Sequence, residues 1–370
     1  MRTAILEAKE YIYLESYILF EDPRTRSFFQ ALKDKARAGV KVKMVIDQLG
    51  SFWVGSLSLS EYAQQGIEIL FFRRLWNRNH RKVLIVDGKI VFLGGVNIKG
   101  KYAKWLDLHF SLSDRFLIQK ILRSFARVYQ LAGGIDPTVA GRLKDWRAEK
   151  QRRALYKAKI FFIEHWPFRK RSALKNYYER KIVESRESIV MVTPYFIPHR
   201  WLIAALDRAI RRGVSVEVLL PKKTDVALLN TANWIFAEEL SDRMNPHTLS
   251  RSIKSHDNGL KTPTSHAAKP SGIREGVGIK FLFLPEMNHA KVLLVDGKEG
   301  MVGSNNIDAQ SFDLNLETGV IFQQKNMILD LKQILETWRS SATPYNQLPP
   351  WRPWYYRIVK FFIKLIRPLL

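Results

Sequence analysis

The chain has 370 residues, enough for one large domain or two ordinary ones, and an apolar content of 46% excludes a disordered chain. It holds no cysteine, which excludes disulfides and thiolate metal sites. Sixty basic against 35 acidic residues leave a formal net charge of +25, a surplus that calls for a polyanionic partner without choosing between nucleic acid and an anionic lipid surface.

The opening, MRTAILEAKEYIYLESYILF, carries Glu7 and Glu10 and lacks a small-residue cleavage site, so it is no signal peptide. No run of about 18 uncharged apolar residues occurs, so no membrane-spanning helix is expected. Within residues 7–22 a charged helix leads into an apolar strand. An amphipathic helix then ends at Gly39, and a strand with alternating apolar residues runs to Asp47. HRKVLIVDGKIVFLGGVN (80–97) follows, and its Asp87-Gly88 between two apolar runs predicts a hairpin. Residues 134–175, dense in Lys and Arg, read as a helical or irregular basic linker.

The series then starts again. Residues 184–199 resemble 7–22, and residues 205–221, with Gly213, resemble 31–47. HAKVLLVDGKEGMVGSNN (289–306), with its own Asp296-Gly297, repeats the stretch that begins at His80. Residues 244–277, rich in Ser, Pro, Gly and Lys, read as an inserted mobile loop, placed where the first half has only a tight connection from Gly66 to Asn79. The expected organisation is a first half at 1–133, the linker at 134–175, a second half at 176–340 holding the insertion, and a tail at 341–370. Helices alternating with strands in both halves predict an α/β fold. Its two similar α-β-α sandwiches, with mixed sheets, would pack about a pseudo-twofold axis. The period is far too long for a solenoid.

The two copies share more than apolar pattern. Each has His-x-Lys, then Asp, then Gly-[Gly/Ser]-x-Asn: His80, Lys82, Asp87 and Asn97 in one, His289, Lys291, Asp296 and Asn306 in the other. Residues i and i+2 of a strand share a face, so each His and its Lys point the same way, and twofold packing can bring both pairs to one spot. Such a spot suits a phosphodiester. Two ammonium groups neutralise it, two Asn side chains add donors, one imidazole attacks phosphorus and the other protonates the leaving oxygen. This double displacement through a phosphohistidine calls for no metal or other cofactor. Each imidazole needs a group to fix its tautomer. Asp107, ten residues past Asn97, and Glu317, eleven past Asn306, supply one carboxylate per half. Asp87 and Asp296 belong to the catalytic motif, but their place at hairpin turns points to holding structure rather than substrate. A lone His on an apolar strand is more often a core residue; two copies with the same polar spacing argue against that.

These residues resemble the phospholipase D superfamily, whose signature is a pair of H-x-K-x4-D motifs. VIDQLGS (45–51), GGVNIKGKYAKWLDLHFSL (94–112), TPYFIPH (193–199), LLPKKTD (219–225), GSNNIDAQSFDLNLE (303–317) and the final LPPWRPWYYRIVKFFIKLIRPLL resemble bacterial cardiolipin synthases. That resemblance covers nearly the whole chain. It implies condensation of two phosphatidylglycerol molecules to cardiolipin and glycerol, with a peripheral place on the cytoplasmic face of a bacterial inner membrane. It also implies His80 as nucleophile and His289 as acid and base. Lys82, Lys291, Asn97 and Asn306 would hold the phosphate, and Asp107 and Glu317 would orient the imidazoles. Three features depart from the family. The chain opens directly on the first core helix, where many members carry membrane segments and a leading strand. Gln310 stands where N-x-D-x-R-S has Arg, and the 244–277 insertion is unusual.

At helical period, Trp354, Tyr355, Ile358, Phe361, Phe362, Leu365 and Ile366 form one face of the tail, flanked by Arg357, Lys360, Lys364 and Arg367. An aromatic face with cationic flanks suits a helix lying in an anionic membrane interface; packing on the chain's own core is the alternative. The expected partners are therefore anionic phospholipids and the membrane surface, with phosphatidylglycerol as substrate and no obligate protein partner. A nuclease or other phosphodiesterase would use the same phosphohistidine, and nothing in the sequence distinguishes resolution by water from resolution by an alcohol.

Overall fold

The computed structural model describes residues 1–51, 59–74, 76–142, 159–167, 172–245, 277–350 and 352–366. The first half runs α1 (Arg2–Glu7), β1 (Tyr11–Ser16), α2 (Arg26–Arg37), β2 (Lys41–Asp47), α3 (Leu59–Gln64), β3 (Ile67–Phe72), β4 (Val83–Val86), β5 (Ile90–Gly94), a 3-10 turn at Gly100–Lys104, β6 (His109–Leu112), α4 (Arg115–Leu131) and α5 (Pro137–Gly141). The second runs β7 (Ile160–His165), α6 (Ala173–Glu184), β8 (Ser188–Val192), α7 (Arg200–Arg211), β9 (Ser215–Pro221), α8 (Ala227–Met244), β10 (Ile279–Leu284), β11 (Val292–Val295), β12 (Glu299–Gly303), a π turn at Gln310–Leu314, β13 (Glu317–Phe322), α9 (Lys325–Ser341), β14 (Thr343–Pro344), a 3-10 turn at Tyr345–Gln347 and α10 (Tyr356–Ile366).

Two mixed sheets carry the duplication. The first has strand order β3-β2-β1-β4-β5-β6, and the second repeats that order as β10-β9-β8-β11-β12-β13. In both, the first three strands are parallel and the last three join antiparallel. The predicted hairpins form. Asp87 and Asp296 both sit at φ 52° with Gly88 and Gly297 also positive, the backbone that a two-residue turn between right-twisted strands demands.

Strand alternation divides the core into three. Val83 and Ile85 of β4 and Val292 and Leu294 of β11 face a central cluster shared by both halves, into which α4 and α9 pack. Leu84 and Val86 face a separate cluster under α1–α3, while Leu293 and Val295 face one under α6–α8 and α10. The layers therefore run helix, sheet, shared centre, sheet, helix. α4 follows its own periodicity, burying Leu117, Ile118, Ile121, Leu122, Phe125, Val128 and Tyr129.

Three expectations change. The basic stretch 134–175 is more than a linker: β7, with Phe161, Phe162 and Ile163 in alternation, pairs antiparallel with β13 and extends the second sheet, and α6 begins at Ala173. Counting Lys and Arg hid a six-residue strand that opens on four apolar residues inside a charged region; residues 143–158 and 168–171 lie outside the described ones. The apolar runs IEILFF and IKFLFL form the further strands β3 and β10, which pair with β2 and β9. Residues 244–277 therefore interrupt the connection between β9 and β10, whose counterpart in the first half runs from β2 to β3, not from Gly66 to Asn79. Of that insertion, residues 246–276 lie outside the described ones. The tail, finally, is part of the fold, because β14 pairs with β10 and α10 buries Tyr356, Val359 and Ile363 in the second half's core.

Candidate active site

The two halves meet just before β4 and β11, in the lead-in segments where each His and its Lys stand, one to three residues short of the strand expected to carry them. Isolated parallel bridges join Asn79 to Leu316 and Asn288 to Leu106, across the halves in both cases. The His80 N–H donates to the Leu316 carbonyl at 3.1 Å, and the His289 N–H to the Leu106 carbonyl at 2.6 Å. Leu316 precedes Glu317, and Leu106 precedes Asp107. Each His is thereby set beside the carboxylate of the opposite half.

The imidazoles use that placement. His80 Nδ1 lies 3.0 and 3.2 Å from the two Glu317 oxygens, and His289 Nδ1 lies 2.8 Å from Asp107 Oδ2. An ionised carboxylate only accepts, so each Nδ1 carries the proton and each Nε2 keeps its lone pair. The Ser304 hydroxyl also donates to Glu317. The first half has Gly95 at that position, and a Cβ there would run into the Asp107 carboxylate. The two halves thus hold their acids differently: a hydroxyl steadies the longer Glu317, and a missing side chain makes room for the shorter Asp107.

Both lysines are buried and donate back to the carbonyl two residues earlier, Lys82 to His80 at 2.5 Å and Lys291 to His289. Between His80 and Lys82, Arg81 points the other way. It meets Ser124 of α4 at 2.8 Å and the buried Glu15 at 3.2 Å, anchoring this end of β4. Ala290 replaces it in the second copy.

Burial, with the Lys291 charge adding to it, pushes Lys82 down to about 7; burial pushes Lys291 down to about 8. His289 is lowered to about 4, by burial first and then by Lys291, against the pull of Asp107. His80 is lowered as well, by burial, with Glu317 opposing. Burial works to raise Glu317 and Asp107, but their histidine and lysine neighbours outweigh it and hold both below the usual carboxylate range. Lys291 acts on His80, and Lys82 on His289, so the four groups share one electrostatic site. Without an anion present this site favours neutral imidazoles and weakly held lysine protons. A phosphodiester would restore the balance of charge.

Asn97 and Asn306 are both buried beside these strands. Asn97 Oδ1 accepts from the Ile18 N–H at 3.3 Å. Asn306 donates its backbone N–H to Ser311 at 3.0 Å, and its Oδ1 has no hydrogen-bond partner among the described residues. Asp87 and Asp296 lie elsewhere. The Asp87 carboxylate accepts the N–H groups of Lys9, Glu10 and Tyr11 at 2.8–2.9 Å, and Asp296 takes those of Arg186, Glu187 and Ser188. Seven residues of extended chain, roughly 20 Å at about 3.3 Å each, separate either Asp from its His. Their grouping with the catalytic residues is therefore corrected to a structural role, as the hairpin position had indicated.

Sequence reasoning missed four neighbours. The Tyr17 ring meets His80 edge-on at 4.6 Å and lies under the Lys82 ammonium at 5.0 Å, and Trp105 packs against His289 at 5.5 Å. The Asn before each His was also overlooked, although Asn79 and Asn288 are both fully buried and make the cross-half bridges. Their signal was present, since the repeat begins one residue earlier than the histidines.

Two half-domains about a pseudo-twofold axis, each giving a His and a Lys to one shared site, define the phospholipase D-like class of fold. The structure is similar to phosphatidylserine synthase of Haemophilus influenzae Rd KW20, with a TM-score of 0.67 and 14% identity over 100% of this chain and 91% of that one. It is also similar to polyphosphate kinase of Porphyromonas gingivalis, with a TM-score of 0.58 and 15% identity over 98% of this chain and 51% of that one. At such identities these likenesses concern the fold alone. The family model described as "Cardiolipin synthase, PLD-like domain" matches residues 1–129 and 178–338, and the chain belongs to that family. Among its curated relatives are a probable cardiolipin synthase of Bacillus subtilis strain 168, 27% identical over 90% of this chain and 62% of that protein, and a cardiolipin synthase of Geobacillus kaustophilus strain HTA426, 27% identical over 98% and 68%. A cardiolipin synthase 1 of Staphylococcus aureus strain MRSA252 is 26% identical over 99% of this chain and 70% of that protein. The chain thus spans about two thirds of the length of these relatives.

Proposed function

We propose that this chain is a phosphatidyltransferase that condenses two phosphatidylglycerol molecules to cardiolipin and glycerol at an anionic membrane surface. The observation that carries this reading is the pair of buried imidazoles, each with Nδ1 tied to a carboxylate of the other half, and each within the field of two buried lysines.

In the first step His80 Nε2 attacks the phosphorus of one phosphatidylglycerol. A bond forms between nitrogen and phosphorus and the bond to the glycerol oxygen breaks; His289, protonated at Nε2 once the bound phosphodiester supplies its negative charge, delivers that proton to the leaving oxygen and becomes neutral. Glycerol leaves and the phosphatidyl group stays on His80. In the second step His289, now neutral, takes the proton of a glycerol hydroxyl on a second phosphatidylglycerol. That oxygen attacks phosphorus and His80 departs, giving cardiolipin. Lys82 and Lys291 would offset the charge on the phosphoryl oxygens through both steps, with Asn97 and Asn306 as neutral contacts. Glu317 and Asp107 would stabilise each imidazole as it becomes positive and hold its tautomer. The family and the names of its relatives support lipid phosphodiesters over nucleic acid as substrate.

The test is to incubate the protein with phosphatidylglycerol vesicles in excess chelator and to resolve the lipids, beside His80→Ala and His289→Ala. Cardiolipin and glycerol from the wild type alone are expected. Phosphatidic acid would mean that water resolves the intermediate, and an inert wild type on lipid that cleaves a nucleic-acid phosphodiester would overturn the lipid assignment.

A further inference from the structure

α10 has two faces, and among the described residues only one of them is used by the fold. Tyr356, Val359 and Ile363 are buried against the second half. Glu238 of α8 fastens the same side, accepting from Arg352 at 2.7 Å, the Tyr356 hydroxyl at 2.5 Å and Lys360 at 2.8 Å. The helix is thus held in one rotation about its axis. That rotation turns Trp354, Ile358, Phe361, Phe362 and Leu365 outward, with exposures from 51% to 86%. These residues recur every three or four positions and form a continuous apolar ridge. Packing on the core, the alternative that the sequence left open, accounts for the opposite face, and none of the described residues covers this one.

Charge indicates what covers it. Between Arg352 and Ile366 the sequence has Arg352, Arg357, Lys360 and Lys364 and no acidic residue, in a chain of net charge +25. A second copy of the same helix would set these cations against one another. With Arg352 and Lys360 held by Glu238, an anionic bilayer interface still satisfies both features, taking the aromatic ridge into the acyl boundary and the exposed Arg357 among its headgroups.

We propose that the outer face of α10, fixed by the Glu238 clamp, is a preformed docking ridge for an anionic lipid surface. The ridge is part of the folded domain and does not have to order itself on binding, so the membrane meets a surface already shaped for it. The inference stands on the helix's own surface and uses the phosphatidyltransferase reading only to choose the vesicle headgroup.

The experiment uses the full chain and sedimentation with vesicles of phosphatidylglycerol in phosphatidylcholine, against phosphatidylcholine alone. The wild type should partition to the anionic vesicles, and less so at high salt. The triple variant Ile358→Ser, Phe361→Ser, Phe362→Ser should lose at least tenfold in partitioning while keeping its circular dichroism and Tm. If the triple variant unfolds, Arg357→Glu at the exposed flank takes its place, with the same loss expected on anionic vesicles only. Partitioning that survives these changes overturns the proposal. So does a concentration-dependent dimer that the same substitutions dissociate without loss of vesicle binding, since the ridge would then be an interface between copies. His80→Ala should bind vesicles like the wild type. A wild type that binds but makes no lipid product would sink the proposed reaction and leave the docking ridge standing, and one that makes cardiolipin from detergent micelles without binding vesicles would do the reverse.

Discussion

A lysine buried beside another lysine holds its proton loosely, and at this site that is open to measurement. Lys82 is pushed down to about 7 and Lys291 to about 8, by burial before anything else. Both must be charged to receive a phosphodiester, and each is charged only below its pKa. The free protein should therefore lose its hold on phosphate as pH rises through about 7–8. We expect the two lysines to steepen the fall of log kcat/KM above pH 8 by about −2 beyond the single proton that His289 must carry, because kcat/KM reports the free enzyme's titrations. Bound phosphate would hold both protons, so the alkaline limb of kcat should lie at higher pH than that of kcat/KM. A limb that gains no further steepness between pH 7 and 10 would show that both lysines keep their charge in the free protein, against the loosely held protons inferred from their burial.

At the scale of elements, the same hairpin carries two residues with opposite tasks. Asp87 ties the β4–β5 turn to the start of β1 through three backbone N–H groups, and it stands at φ 52°. Asp87→Ala should cost about 1–3 kcal/mol of stability, from the unpaired N–H groups and the strained turn, and leave kcat/KM per folded molecule within about twofold. Gly95, at the other end of β5, gives Asp107 its room. Gly95→Ala should leave Tm nearly unchanged and lower kcat by about 10–100-fold, through a displaced Asp107 and a loosened His289. Thermal unfolding and steady-state rates on the two variants check the pair, and an exchange of phenotypes would contradict both roles. The Asp-Gly turns, the helix ends at Gly39 and Gly213 and the strands β4 and β11 that follow each His were legible, because each has a local chemical cause. β3 and β10 were passed over although they repeat like the rest, because attention went to strands with polar landmarks and IEILFF and IKFLFL have few. β7 was hidden by the charge of its surroundings.

At the scale of the whole molecule, the duplication explains why neither half makes a site alone. The sequence placed one carboxylate in each half and could show that each His needs one. Which carboxylate serves which His depends on the bridges Asn79–Leu316 and Asn288–Leu106, and contacts between residues more than 180 positions apart leave no local pattern to read. The shared central core, with β4 and β11 both facing it, keeps those bridges in register, so the site is a property of the packed pair of halves. Tyr17 and Trp105 were missed for the same reason, since an aromatic residue near a strand end is ordinary until its neighbour from another segment is known.

The proposed mechanism turns on His80 carrying the phosphatidyl group while His289 moves the protons. His289→Ala can still complete the first step if the leaving group needs no proton, as with a phosphatidyl ester of p-nitrophenol, but it cannot deprotonate the acceptor. Mixing this variant with that ester, quenching, and mapping the mass of the His80 and His289 peptides is the most direct measurement. We predict a burst of about one nitrophenolate per chain and a phosphatidyl mass on the peptide containing His80, with neither in His80→Ala. A burst and adduct in His80→Ala, carried by His289, would reverse the assignment, and no adduct in either variant would contradict covalent transfer altogether.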